Sequence, residues 1–246
     1  MDIALLKEPL GSIRFLQWIF AAAAFFTCAT FRTQIGYQIS CNINTTNITS
    51  ACFNVKVVQY LKYPFKLYDI PNEITTSETY NATDCLKNES TNIHPGEYIH
   101  LDAQFFVLIG VIAWIVSAVS LVVYVFYPYY YINRNSKAPV ADLWISVILL
   151  TFWLAASSSW AHGLFILKNT TDETWIFSYK YSPCYQEKGK FMNKNITGCF
   201  WYNRGSFGAA NASILLGFLN VFLWACNLWF IYKETKWYGN RNPAYN

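Results

Sequence analysis

The sequence predicts an all-α membrane protein, a left-handed bundle of four transmembrane helices with disulfide-tied loops, the first holding short β-strands. Three observations lead there. Of the 246 residues, 54% are hydrophobic and only 13% charged, against about 25% charged in an ordinary soluble domain. Four apolar segments, 12–31, 103–127, 140–166 and 207–232, each reach the ~20 residues a helix needs to cross ~30 Å of hydrocarbon. Five of the seven cysteines and six Asn-x-Ser/Thr sequons fall in the two long connecting segments, 32–102 and 167–206. Stable disulfides and glycan transfer belong to the same oxidising compartment.

Taken in order, residues 1–11 form a short N-terminal piece before the first helix. The apolar run Phe15 to Phe31 exceeds the about 7–15 residues of a cleaved signal's core and reads as a retained helix. The second segment carries no charge between Asp102 and Arg134. A short link, 128–139, joins it to the third segment, and a tail, 233–246, follows the fourth. Lys7, Arg14, Arg134, Lys137, Lys233, Lys236 and Arg241 crowd the N-terminus, link and tail, while the long loops are sparser in Lys and Arg. The positive-inside rule therefore puts both termini and the link in the cytosol and the long loops in the lumen. The net charge of +4 is spread over two faces and gives no case for nucleic-acid binding.

The lumenal sequons are Asn44, Asn47, Asn81, Asn88, Asn169 and Asn195, with Asn169 close to the third helix; a seventh, Asn211, sits at the membrane edge and is expected to stay unmodified. In the first loop, "CFNVKVVQYLKYPFKLYDI" is rich in Val, Tyr and Phe with partial alternation, which predicts one or two strands. Cys41, Cys52, Cys85, Cys184 and Cys199 make an odd lumenal set, leaving one thiol free or linked to another chain. They lack the paired short spacing of a metal site.

In lipid, helices associate through small residues and hydrogen bonds. Ala210, Ser213, Gly217, Asn220, Trp224 and Asn227 alternate steps of three and four; Gly110, Ala113, Ser117, Ser120 and Tyr124 do the same, and Gln17, Ala21, Ala24 and Cys28 form a shorter series. Such a repeat gathers these groups on one seam of a left-handed bundle. Gly, Ala and isolated Asn favour dry packing over an aqueous pathway, which would show ionisable rings.

The stretch "WLAASSSWAHG", Trp153 to Gly163, raises the question of an active site. Ser158 and His162 lie one helical turn apart, but no Gly-rich nucleophile turn accompanies them, so a hydrolase is not expected and the chain reads as no enzyme. Ala155, Ser159 and Gly163 recur at every fourth position and strip one face of bulk for a close helix contact with the own bundle, a second protomer or a partner. Trp18, Trp144 and Trp160, "YPYYY" and Trp237–Tyr238 fall near segment ends, where such rings anchor at headgroup depth. Two segments fit the loose cholesterol-contact pattern: Val125–Tyr129–Arg134 and Leu228–Tyr232–Lys236.

The strings "KEPLG", "LQW", "YPFKL", "AQFFV", "WLAASSSWAHG", and "GFLNVFLWACNLWF" followed by "KET", in this order and spacing, resemble the synaptophysin (physin) family, a branch of the four-helix MARVEL proteins. The resemblance runs from about Lys7 to Trp237. It implies cytosolic termini, residence in synaptic or related secretory vesicles, self-association to oligomers, a role in vesicle sorting and exocytosis, and cholesterol as a lipid ligand without other cofactors. It also implies a synaptobrevin-like vesicle fusion protein and the vesicle proton pump as partners. The family's loop disulfides map onto Cys41–Cys85 and Cys184–Cys199, leaving Cys52 as the extra cysteine; Cys41–Cys52 stays open as the alternative. Neuronal members carry a long Tyr-, Gly-, Pro- and Gln-rich tail, whereas this sequence runs about a dozen residues past the last helix, so functions of that tail are not carried over. There Asn242, Pro243 and Tyr245 fit the N-P-x-Y turn read by endocytic adaptors. The competing readings are a channel- or junction-forming four-helix protein, or a non-neuronal secretory or triad-junction member of the same family.

Overall fold

The computed structural model describes residues 9–45, 48–65, 72–76, 99–127, 129, 137–180 and 182–234. The elements are α1 (Pro9–Ala29), β1 (Arg32–Thr45), β2 (Ile48–Lys62), β3 (Asn72–Thr76), α2 (Ile99–Phe126), α3 (Ala138–Thr170), α4 (Glu173–Ser178), β4 (Gln186–Glu187), β5 (Lys190–Phe191), β6 (Ile196–Asn203) and α5 (Gly208–Glu234). The chain divides into two compact units, one drawn from 1–29, 102–161 and 209–246, the other from 30–101 and 162–208.

The first unit is helical. α1, α2, α3 and α5 are long and apolar enough to cross a membrane. α1 starts at Pro9, ahead of the apolar run, where a proline's missing N–H and fixed φ suit the first turn. Its faces divide as lipid requires. Leu108, Ile112, Ile115, Val119, Val122 and Phe126 of α2 recur at three and four residues and are exposed, as are Leu215, Phe218 and Phe222 of α5. The residues turned inward include small and polar ones, Gln17, Ala21, Ala24 and Cys28 on α1, Ala113 and Ser117 on α2, Ala210, Ser213, Asn220 and Asn227 on α5, beside large ones such as Phe25, Phe106 and Trp224. Gly110 meets Phe25 so closely that an added Cβ would stand 2.7 Å from the Phe25 Cβ.

The second unit is built on a four-stranded sheet in the order β3-β2-β1-β6, antiparallel throughout. Of the strands in the first loop, β1 with 14 residues and β2 with 15 are longer than expected, while β3 with 5 is short. β6, from the second loop, pairs along β1 with Ile39 opposite Cys199. Period-two alternation gives one buried face, with Ile35, Tyr37, Ile39 and Cys41 on β1 and Val55, Val57 and Leu61 on β2. This face packs with Cys184, Ile196 and the half-buried Phe177, Phe191 and Trp201. The Tyr37 ring stacks on Trp201 at 6.0 Å, and burial pushes its phenol pKa well above the ordinary range.

A disulfide joins Cys184 to Cys199 and ties the second loop onto β6. Cys41 is also disulfide-bonded. Its register partner on β2 is Phe53, with Cys52 opposite Asn42. Cys85, and with it the expected Cys41–Cys85 pairing, lies outside the described residues. The chain leaves β6 through Gly205, whose φ of +70° suits glycine and whose added Cβ would crowd Thr33 Oγ1 at 3.0 Å and Gln34 O at 3.1 Å.

Candidate functional site

The chemistry-bearing side chains of the helical unit line its interior. Arg14 of α1 is fully buried and forms an ion pair with the buried Asp142 of α3. The guanidinium also lies over the Trp224 ring of α5, 6.0 Å from its centroid. Three helices thus meet at one charge. Two ions taken from water into a bundle core hold their charge only when they neutralise each other. This corrects the count of Arg14 among the basic residues of the cytosolic N-terminal piece.

Beside the pair, Gln17 Nε2 donates to the Leu223 carbonyl at 3.4 Å. Asn227 Nδ2 donates to Ser146 Oγ at 3.1 Å, joining α5 to α3. Asn220 Nδ2 donates instead within its own helix, to the Leu216 carbonyl at 2.9 Å. Further along, Gly217 lets α3 and α2 close in: an added Cβ would stand 2.6 Å from Ser157 Oγ and 2.7 Å from the Phe106 ring. Phe106 meets the buried Trp153 edge-on at 5.6 Å. Next, Trp160 Nε1 donates to Ser213 Oγ at 2.9 Å, and Ser213 Oγ donates back to the Ala210 carbonyl at 2.7 Å. Ser159 Oγ donates to the Asp102 carboxylate, joining α3 to α2.

Gln17 Oε1, Ser117 Oγ, Ser157 Oγ, Asn220 Oδ1 and Asn227 Oδ1 are buried without a hydrogen-bond partner among the described residues. The seam therefore holds more polar capacity than its own bonds use. Among the described residues no three His, Cys, Asp or Glu converge as a metal site would require.

α3 differs most from expectation. Its inward face is Trp153, Ala156, Ser157 and Trp160, all fully buried. Ala155 and Ser158 are exposed, Ser159 is half-buried and Gly163 is buried. The close-contact face of the own bundle thus runs through Ser157, a step away from the Ala155–Ser159–Gly163 series. Trp160 is a core residue bonded to Ser213, not an anchor at headgroup depth, whereas Trp144 is 60% exposed. His162 is exposed.

Of the other predicted positions, Tyr129 is exposed and Tyr232 half-buried, while Arg134 and Lys236 lie outside the described residues. So do Asn47, Asn81, Asn88, Asn242, Pro243 and Tyr245. Asn44 lies in β1, Asn169 is exposed in the last turn of α3, Asn195 precedes β6, and Asn211 is exposed in the first turns of α5.

Four membrane-length helices around a polar, tryptophan-filled interior, with a separate disulfide-tied sheet unit, define a four-span integral membrane protein. The membrane-associating MARVEL domain model matches residues 5–230. The chain belongs to the MARVEL family.

Proposed function

We propose that this chain is a non-enzymatic scaffold of synaptic or secretory vesicle membranes, with cytosolic termini and lumenal loops. It associates with itself, binds the transmembrane helix of a synaptobrevin-like fusion protein and recruits cholesterol, supporting vesicle sorting and exocytosis. Contact with the vesicle proton pump belongs to the same reading. Membership of the MARVEL family over nearly the whole chain supports it, as does the resemblance of its ordered motifs to the synaptophysin branch. The observation that carries it is the direction of the α3 faces. Large tryptophans and the paired polar groups fill the interior, which leaves Ala155 and Ser158 turned outward, where a foreign helix can approach closely.

Asn220 lies inside the own bundle and bonds its own helix, so Asn220→Leu acts on assembly of the fold. The outward pair is the sharper probe of partner capture. A155L/S158L is expected to lower recovery of synaptobrevin from native vesicles in mild detergent while leaving the unfolding temperature unchanged. Undiminished recovery contradicts the partner assignment. A reproducible, mutation-sensitive single-channel conductance would replace the scaffold reading by the channel one.

A further inference from the structure

At the start of β1 and the end of β2, Arg32 and Lys62 are direct register partners. Like charges placed opposite each other across a strand pair are destabilising. Both side chains are exposed, and neither forms a salt bridge among the described residues, where the ion pairs are Arg14–Asp142 and Arg204–Glu173. Between them opens a cavity of about 440 Å³ lined, among the described residues, by Arg32, Thr33, Gln34, Tyr60, Leu61 and Lys62. Its walls are mostly apolar, formed by the buried Leu61 and the half-buried Tyr60, with cationic groups on both sides. The arrangement asks for an anion attached to something greasy.

The position supplies the source. Arg32 follows the last residue of α1, Ala29, by three residues, a distance that extended chain covers in about 10 Å. The segment around it is aromatic: Phe31 lies 5.6 Å from Phe65 and 6.1 Å from Phe207. Lys168, near the end of α3, stands over the Phe207 ring at 6.0 Å and adds a third cation beside this cluster. Aromatic rings next to a membrane span, with cations among them, mark headgroup depth.

We propose that the Arg32–Lys62 cavity binds the phosphate of a membrane lipid headgroup, with the apolar wall of Tyr60 and Leu61 taking the glycerol side of the lipid. Arg32 supplies paired N–H donors matched to phosphate oxygens, and Lys62 a second positive charge. The bound anion turns the like-charge pair from a cost into a clamp. The assignment is independent of the vesicle reading, because it holds in whatever membrane carries the chain.

The test uses the full chain in mild detergent, supplemented with dioleoyl phosphatidylglycerol and examined by native mass spectrometry. The wild type is expected to retain lipid. R32Q/K62Q should retain about tenfold less, the scale of one lost charge-assisted hydrogen bond. R32K/K62R should keep it. Lys56→Gln, on the same sheet but over the Tyr202 ring, should also keep it, as should addition of millimolar inorganic phosphate. Equal retention by R32Q/K62Q overturns the proposal. So does equal loss in R32K/K62R or Lys56→Gln, and so does displacement by inorganic phosphate, which would make the site one for a free anion.

Discussion

The two units differ in what they bury beside an apolar core. In the sheet unit the inward positions are Ile, Val, Tyr and Cys, while Lys56, Thr197 and Glu187 face out, as water dictates. In the helical unit the inward positions include Arg14, Gln17, Asp142, Ser146, Asn220 and Asn227, while Leu, Ile, Val and Phe face out. Lipid removes the hydrophobic drive between helices, so close packing and polar pairs must hold them. The units are also fastened differently, by the covalent Cys184–Cys199 bridge in one and the Arg14–Asp142 pair in the other. A polar residue within a membrane-length helix therefore reports the interior, whereas in the sheet it mostly reports the surface.

Breaking each fastening separately should expose that contrast. The largest effect is expected from Asp142→Leu, which leaves Arg14 charged and unpaired inside the bundle. Losing one partner of a buried pair costs about 3–5 kcal/mol, read as a lowered midpoint of unfolding in detergent. Cys184→Ala should cost about 3 kcal/mol, the loop-closure estimate for a bridge of sequence separation 15. Its signature is faster amide exchange in β1 and β6, with α1 and α5 keeping their protection. Gly217→Leu should cost about 1–3 kcal/mol by overpacking against Ser157 and Phe106, again read from the unfolding midpoint.

The smallest effect is electrostatic and belongs to the sheet unit. Asp172 caps α4, accepting from Thr174 Oγ1 at 2.7 Å and from Thr174 N at 3.4 Å. Its pKa is lowered below the ordinary 3.8, chiefly by the Thr174 side-chain hydrogen bond. A carboxylate with a depressed folded pKa stabilises above the unfolded value, and that stabilisation is lost as pH falls through the folded one. Protection of the α4 amides, their exchange divided into the intrinsic rate at each pH, should thus stay constant down to about pH 4 and fall only below it.

The inward face of α5 was legible because polar residues are expensive in lipid, so their three-four repeat reports the side turned from it. Which face of α3 meets its own bundle was not legible for a physical reason. Its small residues occupy two neighbouring faces, through Ala155 and through Ser157, and periodicity alone does not say which one is lined by tryptophan. Trp160 near a segment end reads as an interface anchor until Ser213 is seen to accept its N–H. The ion pair was missed because charges at helix ends read as flanks. Arg14 already lay inside a helical start, and Asp142, an acid within the apolar third segment, was the available signal. The period-two series Ile35, Tyr37, Ile39 and Cys41 announced β1. Its pairing with β6, more than 150 residues away, depends on contacts no local pattern carries.

The central claim, that the bundle is organised around a mutually neutralising Arg14–Asp142 pair, is tested most directly by a double-mutant cycle in unfolding free energy. Arg14→Met and Asp142→Leu should each destabilise strongly, and R14M/D142L should recover most of the loss, because the remaining groups are then uncharged. Additive losses in the double variant would contradict it.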